Sequence, residues 1–326
     1  MQEEPLFQQR TDLRQLQDAV DNIYKEIRKV LVGQDELIRL LITAVLADGH
    51  VLIEGVPGIA KTLSARLISR TLSVDFSRIQ FTPDLMPSDV LGTTVFNPRD
   101  ARFEFKRGPI FSNMVLIDEI NRAPAKTQAA LFEVMEEKQV TMDGTTYPME
   151  QPFMVLATQN PVEQEGTYRL PEAQLDRFLF KIEVPYPDEQ QETDMLARFN
   201  VHDVGDPVSL LQPVLTAATI AQLRKQIRGL HIEEPLLRFI ARLTQATRQH
   251  KSLYLGASPR ASLALMHAAK ATAAMTGRDF VTPEDVLEVA VPVLRHRLLL
   301  TPEKEMEGTT EEEVIRQIIQ SIEIPR

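Results

Sequence analysis

Apolar and polar residues alternate with the period of a helix along the first part of the chain. Apolar residues recur at steps of three and four from Leu13 to Val30, and again over Asp35–Ala47. Two amphipathic helices are therefore predicted. The segment Val32-Gly33-Gln34 interrupts the pattern between them. This segment is interpreted either as a plain helix–helix turn or as a turn that packs against an adenine ring, and the local sequence slightly favours the plain turn.

Four short apolar runs further along predict buried strands, at residues 51–53, 114–117, 153–157 and 178–184. The segment RIQF at residues 78–81, which ends before Thr82-Pro83-Asp84, predicts a fifth, short strand. Two stretches of alternating residues predict β-hairpins, at residues 92–106 around an Asn-Pro-Arg-Asp turn and at residues 140–149 around Asp143-Gly144. The fold class that follows is α/β, with a mostly parallel five-stranded sheet between helices.

The last third of the chain has helical period almost throughout. Helices are predicted at residues 217–228, 235–250, 259–275, 283–298 and 310–322, several of them with Pro in the first turn. Residues 200–213 are richer in Gly, Asp and Pro. The predicted domains are an α/β core with an N-terminal helix over residues 1–200, a linker over residues 201–215 and a smaller all-helical lid over residues 216–326.

The composition of the chain excludes several kinds of functional site. A length of 326 residues suits two domains. The chain has no cysteine, which excludes disulfides and thiolate chemistry, and its six histidines show no metal-ligand spacing, so the expected metal is Mg²⁺ held by oxygen. The net charge of −10 counts against non-specific nucleic-acid binding. The first residues lack a signal peptide and no apolar run approaches the length of a membrane span, so a cytoplasmic location is expected.

The strongest chemical signal is the segment HVLIEGVPGIAKT at residues 50–62. A strand, a glycine loop, a lysine and a helix in this order form a phosphate cradle, since backbone N–H groups and the helix N-terminus both point at the anion. Lys61 can reach the β- and γ-phosphates, and Thr62 can place its hydroxyl on Mg²⁺. The match to the general phosphate-loop pattern is imperfect, because Ala60 stands where glycine is usual. The candidate loop residues are Gly55, Val56, Pro57, Gly58, Ile59, Ala60, Lys61, Thr62 and Leu63.

Two carboxylates follow the strand at residues 114–117. At the carboxyl end of that strand, Asp118 can hold Mg²⁺ through water, opposite Thr62. Glu119 can polarise the water that attacks the γ-phosphate. Both motifs lie where ligands bind in open α/β sheets.

Three further polar residues are ambiguous from their local sequence. Asn160, after the next strand, could orient the attacking water or could simply start a turn before proline. Arg177 could form a helix-end ion pair with Asp176 or could be an arginine finger for the γ-phosphate of a neighbouring subunit. Arg260 lies in the first turn of a helix, where the dipole slightly disfavours a cation, which weakly indicates a nearby anion.

Together these motifs resemble the MoxR family of AAA+ ATPases, and the resemblance runs from the turn at residues 32–34 to the closing helix. GVPGIAKT at 55–62 is similar to the family's Walker A, including Ala60, and LIDEINRAP at 116–124 to its Walker B. ATQNPVEQEGTYRLPEAQLDRF at 157–178 is similar to its sensor 1 and arginine-finger region, and GASPRA at 256–261 to its sensor 2. Arg169 departs from the family pattern, which has proline at this position.

The resemblance implies a role for each matching residue. Val32, Gly33, Gln34 and the loop at residues 55–63 would bind ATP, while Thr62 and Asp118 would hold Mg²⁺. Glu119 would activate water, Asn160 would be sensor 1, Arg177 would act in trans, and Arg260 would be sensor 2 on the lid of the same chain. The two hairpins would line the pore of a hexameric ring.

The family's usual work is chaperone-like: remodelling, maturation or cofactor and metal insertion in a protein client, commonly with a von Willebrand factor A domain partner. ATP hydrolysis to ADP and phosphate between subunits is therefore the expected reaction. A nucleic-acid motor stays open, because the first hairpin carries Arg99, Arg102, Lys106 and Arg107. A nucleotide-gated scaffold that does not hydrolyse ATP is the third alternative, and the presence of both Lys61 and Glu119 argues against it.

Overall fold

A computed structural model describes residues 12–325 except for residues 57, 59, 60, 161–166, 169 and 202–205. The strands are β1 His50–Gly55, β2 Phe76–Gln80, β3 Gly92–Asn97, β4 Arg102–Arg107, β5 Met114–Asp118, β6 Gln139–Met142, β7 Thr145–Pro148, β8 Met154–Gln159, β9 Phe178–Val184, β10 Leu253–Leu255 and β11 Leu299–Leu300. The α-helices are α1 Arg14–Ile27, α2 Asp35–Ala47, α3 Lys61–Thr71, α4 Pro87–Leu91, α5 Ala125–Glu137, α6 Glu172–Leu175, α7 Glu189–Val201, α8 Ala217–Arg228, α9 Glu234–Gln249, α10 Pro259–Met275, α11 Pro283–Leu294, α12 Pro302–Met306 and α13 Glu311–Ser321.

Five strands form the central sheet in the order β2-β5-β8-β1-β9, and every neighbouring pair is parallel. Alternate residues of each strand enter separate cores on the two faces. One face packs on α1, α2 and α3, and the other packs on α4 and α5. Burial on both faces explains why these strands are continuous apolar runs in the sequence. The predicted α/β fold with a five-stranded sheet is confirmed.

Both predicted hairpins are present, and they touch each other. β3 pairs with β4 and β6 with β7, each antiparallel. The tip of the second hairpin has positive φ at Asp143 and Gly144, as a two-residue hairpin turn requires. The ring of Phe105 lies 4.5 Å from that of Tyr147, and Thr94 Oγ1 donates a hydrogen bond to Asp143 Oδ2 over 2.5 Å. The two insertions therefore form one packed unit on the core.

The C-terminal region is mostly helical, but not wholly so as predicted. β10 and β11 pair in a short antiparallel ribbon, which was missed because strands of two and three residues leave little periodicity to detect. α11 ends at Leu294 and continues as a 3-10 turn over Arg295–Arg297. Helix α10 packs against α2, and α11 packs against β9, so the lid lies beside the core at its N-terminal helices and at the β9 edge of the sheet.

The segment before the lid is held on α3. A 3-10 turn covers Pro207–Leu210, and Leu211 after it is fully buried. The backbone N–H groups of Val214 and Leu215 both donate to the carbonyl oxygen of Thr71, over 2.7 and 3.0 Å. Because α3 begins at Lys61, this segment joins the lid to the helix of the predicted phosphate loop. The boundaries of core, linker and lid stay a prediction.

Candidate nucleotide-binding site

The predicted phosphate loop joins β1 to α3 at the carboxyl edge of the sheet. Gly58 has φ +90, and a Cβ added there would meet no atom within 4 Å, so its backbone faces open space. Lys61 is the first residue of α3, and its Nζ donates to the carbonyl oxygen of Gly55 over 2.6 Å. The ammonium group is thus folded back over the loop, where an anion bound to the N-terminus of α3 would meet it. Pro57, Ile59 and Ala60 lie outside the described residues.

The turn before α2 needs its glycine. Gly33 and Gln34 both have positive φ, at +68° and +58°. A Cβ added to Gly33 would also come within 2.8 Å of the side chain of Gln191 in α7. Val32 is half-buried in the same turn. The turn is therefore pressed against the first helix that follows the sheet, and no described contact assigns it an adenine.

A cleft of about 720 Å³ opens between the end of the sheet and the lid. Its walls include Gly55 and Val56 of the loop, Tyr186 after β9, Leu40 of α2 and Val291 of α11. Its volume falls within the range of ordinary ligand pockets. The side chains of Val56 and Leu63 are half-buried and pack on the apolar core, so they support the loop from beneath.

Asp118 is the last residue of β5, and it is only 7% exposed. Its Oδ2 accepts from Arg78 Nε of β2 over 2.6 Å, and its Oδ1 accepts from Thr158 Oγ1 of β8 over 3.1 Å. Each carboxylate oxygen has more than one lone pair, so both can still accept from water around a cation. The neighbouring strands fix the orientation that a metal-binding carboxylate needs.

Glu119 directly follows the strand in the left-handed region, with φ +57. Its backbone N–H donates to Thr158 Oγ1 over 3.0 Å. Its carboxylate Oε2 accepts from Gln80 Nε2 over 2.7 Å and lies 3.1 Å from Arg122 Nε. A non-glycine residue in this conformation costs free energy, and such residues are concentrated at functional sites. The side chains of Gln80 and Arg122 therefore hold the carboxylate of Glu119.

Asn160 follows the last residue of β8 and is 9% exposed. The parallel register of β5, β8 and β1 brings the ends of these strands to one edge. Lys61, Asp118, Glu119 and Asn160 all lie at this carboxyl edge. The structure thus brings together four of the residues that the sequence assigned to nucleotide chemistry.

Arg177 and Arg260 lie at the other edge of the sheet. The first residue of β1 pairs with the first of β9, and the last with the last, so Arg177 is at the amino end of the strands. At 3.3 Å per residue, about 20 Å of strand separates it from the phosphate loop of its own chain. Arg177 Nε lies 3.2 Å from Glu136 Oε2, and Arg260 Nη2 lies 2.9 Å from Glu136 Oε1.

This placement corrects one expectation and removes one of the two alternatives for Arg177. Arg260 does not complete the site of its own chain in this structure, since the start of α10 packs beside Arg177. Arg177 also does not pair with Asp176, because Asp176 Oδ1 accepts from the buried Arg297 Nε over 2.7 Å and its Oδ2 accepts from Ser258 Oγ over 2.8 Å. Arg297 Nη2 also donates to the carbonyl oxygen of Phe178 over 2.6 Å, so the lid binds the chain on both sides of Arg177.

Sequence reasoning gave no role to the side chains that hold the site in place. Thr158 bridges Asp118 and the backbone of Glu119, while Arg78 and Gln80 reach these two acids from β2. The alternation of Arg78 and Gln80 at the end of a strand is a signal that could have indicated them. The pairing of Glu136 with two arginines from distant segments left no such signal.

His50 anchors the amino end of the strand that carries the loop. Its Nδ1 accepts from the N–H of Val155 over 3.0 Å, and its Nε2 lies 3.1 Å from the carbonyl oxygen of Met135. Burial lowers the pKa of His50 from 6.5 to about 4. The imidazole is therefore neutral at neutral pH and joins β1 to β8 and α5.

A parallel sheet whose carboxyl edge carries a phosphate loop and an acidic pair, followed by a helical lid, is the arrangement expected of AAA+ ATPases. A family model described as "ATPase family associated with various cellular activities (AAA)" matches residues 50–180. A second model, "AAA lid domain", matches residues 245–318. Among the described residues, no helix is long and apolar enough to cross a membrane.

Comparison with individual proteins narrows the class to a family. The chain is 43% identical to "Chaperone MoxR1" of Mycobacterium tuberculosis, over 92% of this chain and 81% of that protein. It is 45% identical to the Bacillus subtilis protein YeaC, over 92% of this chain and 93% of the relative. A crystal structure of "a putative ATPase" from Cytophaga hutchinsonii superposes with a TM-score of 0.88 at 44% identity, covering 95% of this chain and 96% of that one. The chain belongs to the MoxR family of AAA+ ATPases.

Proposed function

We propose that the protein hydrolyses ATP to ADP and phosphate at interfaces between the subunits of a ring, and uses the energy to remodel a protein client. The observation that carries the proposal is the division of the site residues between two edges of one sheet. Lys61, Asp118 and Glu119 lie at the carboxyl edge, and Arg177 lies about 20 Å away at the amino edge. A second subunit is needed to bring the two sets together.

Nucleotide binding is assigned to the carboxyl edge. The N–H groups around Gly58 and the start of α3 would bind the phosphates, with Lys61 moving from the carbonyl oxygen of Gly55 to the anion. The turn at residues 32–34 and the cleft beside it would take the base and sugar. Thr62 and Asp118 fit a bound Mg²⁺, since a hydroxyl and a buried, oriented carboxylate are hard oxygen donors. When bound, Mg²⁺ neutralises charge on the phosphates.

Hydrolysis is assigned to Glu119, with Asn160 beside it. A carboxylate at this position can accept a proton from the attacking water. Gln80 and Arg122 hold that carboxylate in one orientation, while Thr158 holds its backbone. Arg177 and Arg260 would come from the neighbouring subunit and stabilise the charge on the transferred phosphoryl group. A closed ring satisfies this head-to-tail contact for every copy, and a hexamer is the expected size.

The client is proposed to be a protein. A relative over 92% of this chain is named a chaperone, and the paired hairpins present exposed aromatic rings at Phe96 and Phe103. A partner with a von Willebrand factor A domain and a cytoplasmic location stay predictions. The nucleic-acid motor is not favoured, because two relatives that match more than nine-tenths of the chain are named MoxR proteins.

The test is phosphate release by the assembled protein. The unaltered chain is expected to turn over ATP, while Glu119→Gln should bind ATP and reduce kcat by about 10²- to 10⁴-fold, since a carboxamide cannot take up the proton. Glu119→Gln should also capture the client in a pull-down, because the ATP-bound assembly persists. No phosphate release by the unaltered ring, or recovery of nucleic acid alone, would overturn the proposal.

A further inference from the structure

Glu136 stands out because one carboxylate binds two arginines from different parts of the fold. It lies near the C-terminus of α5, and its two oxygens are divided between Arg177 Nε, at 3.2 Å, and Arg260 Nη2, at 2.9 Å. Arg177 directly precedes β9 of the core, and Arg260 opens α10 of the lid. The three side chains share the wall of a small cavity of about 220 Å³ at the amino edge of the sheet.

The contact orients Arg177 without covering its outer end. Glu136 accepts a hydrogen bond from Nε of Arg177, and the guanidinium carbon of Arg177 lies 5.9 Å from the centre of the Phe132 ring. A carboxylate and an aromatic face therefore hold the plane of the guanidinium group. In the part of the chain that the structure describes, the two terminal nitrogens of Arg177 donate no hydrogen bond to another residue. These two N–H₂ groups are the fork that binds an anion in a bidentate manner.

A role in stability alone does not account for this arrangement. The side chains of Glu136, Arg177 and Arg260 are 39%, 29% and 52% exposed, and ion pairs so accessible to water contribute little to folding. The neighbouring pair of Arg297 with Asp176 is far more buried and already ties the lid to the core at this place. Glu136 instead sets the positions of two cations that would otherwise repel each other.

We propose that Glu136 is the positioning residue for both arginines, and that it makes the lid and the core present them as one unit to the neighbouring subunit's phosphate. The inference rests on the proposed function, in which Arg177 acts between subunits. Glu136 does not touch the nucleotide of its own chain, whose loop lies at the opposite edge of the sheet. Its loss should therefore impair the neighbour's site and leave its own site intact.

The first experiment separates binding from turnover. In assembled Glu136→Ala protein, kcat should fall about tenfold, because misplacing a catalytic group by a fraction of an ångström lowers the rate by this order. The Kd for ATP should stay within twofold of that of the unaltered chain. Affinity for ADP with aluminium fluoride, which mimics the transferred phosphoryl group, should fall about tenfold, and affinity for ADP alone should not change. Glu136→Gln keeps one oxygen acceptor, so its kcat and its affinity for ADP with aluminium fluoride should lie between those of Glu136→Ala and those of the unaltered chain.

Glu133→Ala is the matched control. Glu133 lies one turn earlier on α5, is exposed, and shows no ion pair among the described residues. Its kcat and its affinity for ADP with aluminium fluoride should equal those of the unaltered chain. An equal loss of kcat in Glu133→Ala and Glu136→Ala would show that Glu136 acts only as one of the surface charges of α5, which would overturn the proposal. Unchanged or higher kcat in Glu136→Ala would also overturn it.

Mixed assemblies distinguish this inference from the proposed function. Glu136→Ala subunits keep a sound nucleotide site, and Glu119→Gln subunits keep sound arginines. Mixing them should raise phosphate release per Glu136→Ala subunit severalfold. In the mixture, many nucleotide sites of Glu136→Ala subunits face the correctly held arginines of a Glu119→Gln neighbour. If Arg177→Ala is rescued in this way but Glu136→Ala is not, the role of Glu136 is wrong and the proposed function stands. If neither Arg177→Ala nor Glu136→Ala lowers the affinity for ADP with aluminium fluoride, the arginines do not act between subunits and both proposals fail.

Discussion

The two edges of the central sheet differ in how their functional groups are held. At the carboxyl edge, Asp118 ends β5, Glu119 follows it, and Lys61 begins α3 after the loop that leaves β1, so the ends of strands and of a helix fix their places. At the amino edge, Arg177 and Arg260 come from a connecting segment and from the lid, and Glu136 is the partner they share in the part of the chain that the structure describes. The first edge is a rigid half-site set by the sheet. The second is a half-site set by side-chain pairing, and its geometry depends on where the lid sits.

The largest effect should come from Arg177→Ala in the assembled ring. An arginine finger contributes about 10³-fold or more to kcat where its loss has been measured in phosphoryl transfer, and a loss of this order is expected here. Binding of ATP to the carboxyl edge should be unchanged, because that edge lies on the other side of the sheet. Steady-state phosphate release and a fluorescent-nucleotide titration measure the two quantities. An equal loss of ATP affinity would show that the edges are not separate half-sites.

Acid should loosen the amino edge through His50. The pKa of this imidazole is about 4 in the folded protein and about 6.5 when unfolded, so the unfolded chain takes up its proton first. Its contribution is fully present above pH 6.5 and is lost as the pH falls toward 4, by about 3 kcal/mol in the free energy of unfolding.

Denaturant unfolding at several pH values measures this loss. The buried His296 also has a lowered pKa, so the unaltered chain alone cannot separate the two groups. His50→Gln does not titrate, and its stability should fall less steeply between pH 6.5 and 4 than that of the unaltered chain. Parallel slopes for both proteins would contradict the assignment.

A smaller effect is expected at the carboxyl edge from Thr158→Val. The change keeps the shape but removes the hydroxyl that donates to Asp118 and accepts from the N–H of Glu119. Both acids should be less well oriented, and kcat should fall about tenfold. Thr127→Val is the control, since Thr127 is an equally buried threonine whose hydroxyl bonds the carbonyl oxygen of Leu85. It should lower stability without lowering kcat, and a similar loss of kcat in both would remove the role of Thr158.

The positions of the residues at the carboxyl edge could be predicted from the sequence, because local signals determine them. The apolar period predicts a helix over residues 35–47 with the bounds that the structure has, and Ser258 and Pro259 mark the start of the lid helix at residues 259–275 in the same local way. Strand ends gave the positions of Asp118 and Asn160, because all parallel strands finish at one edge. These parts of the account needed no knowledge of tertiary contacts.

The amino edge could not be predicted in the same way. Glu136 reads as one of several exposed acids on a helix, and its pairing with Arg177 and Arg260 spans 41 and 124 positions along the chain. The expectation that Arg260 would reach the phosphate of its own chain assumed a lid above the loop, whereas α10 packs on α2. Where the lid sits depends on the sum of many contacts, which no single motif encodes.

The most direct test of the account is phosphate release from a mixture of Arg177→Ala and Glu119→Gln subunits. Each variant alone should be nearly inactive, because one lacks the arginine and the other lacks the carboxylate. The account predicts that mixing restores a substantial part of the activity, since a sound carboxyl edge then faces a sound amino edge across some interfaces. A mixture that shows no more activity than the two separate proteins, although both assemble and bind ATP, would contradict the claim that each site is completed by its neighbour.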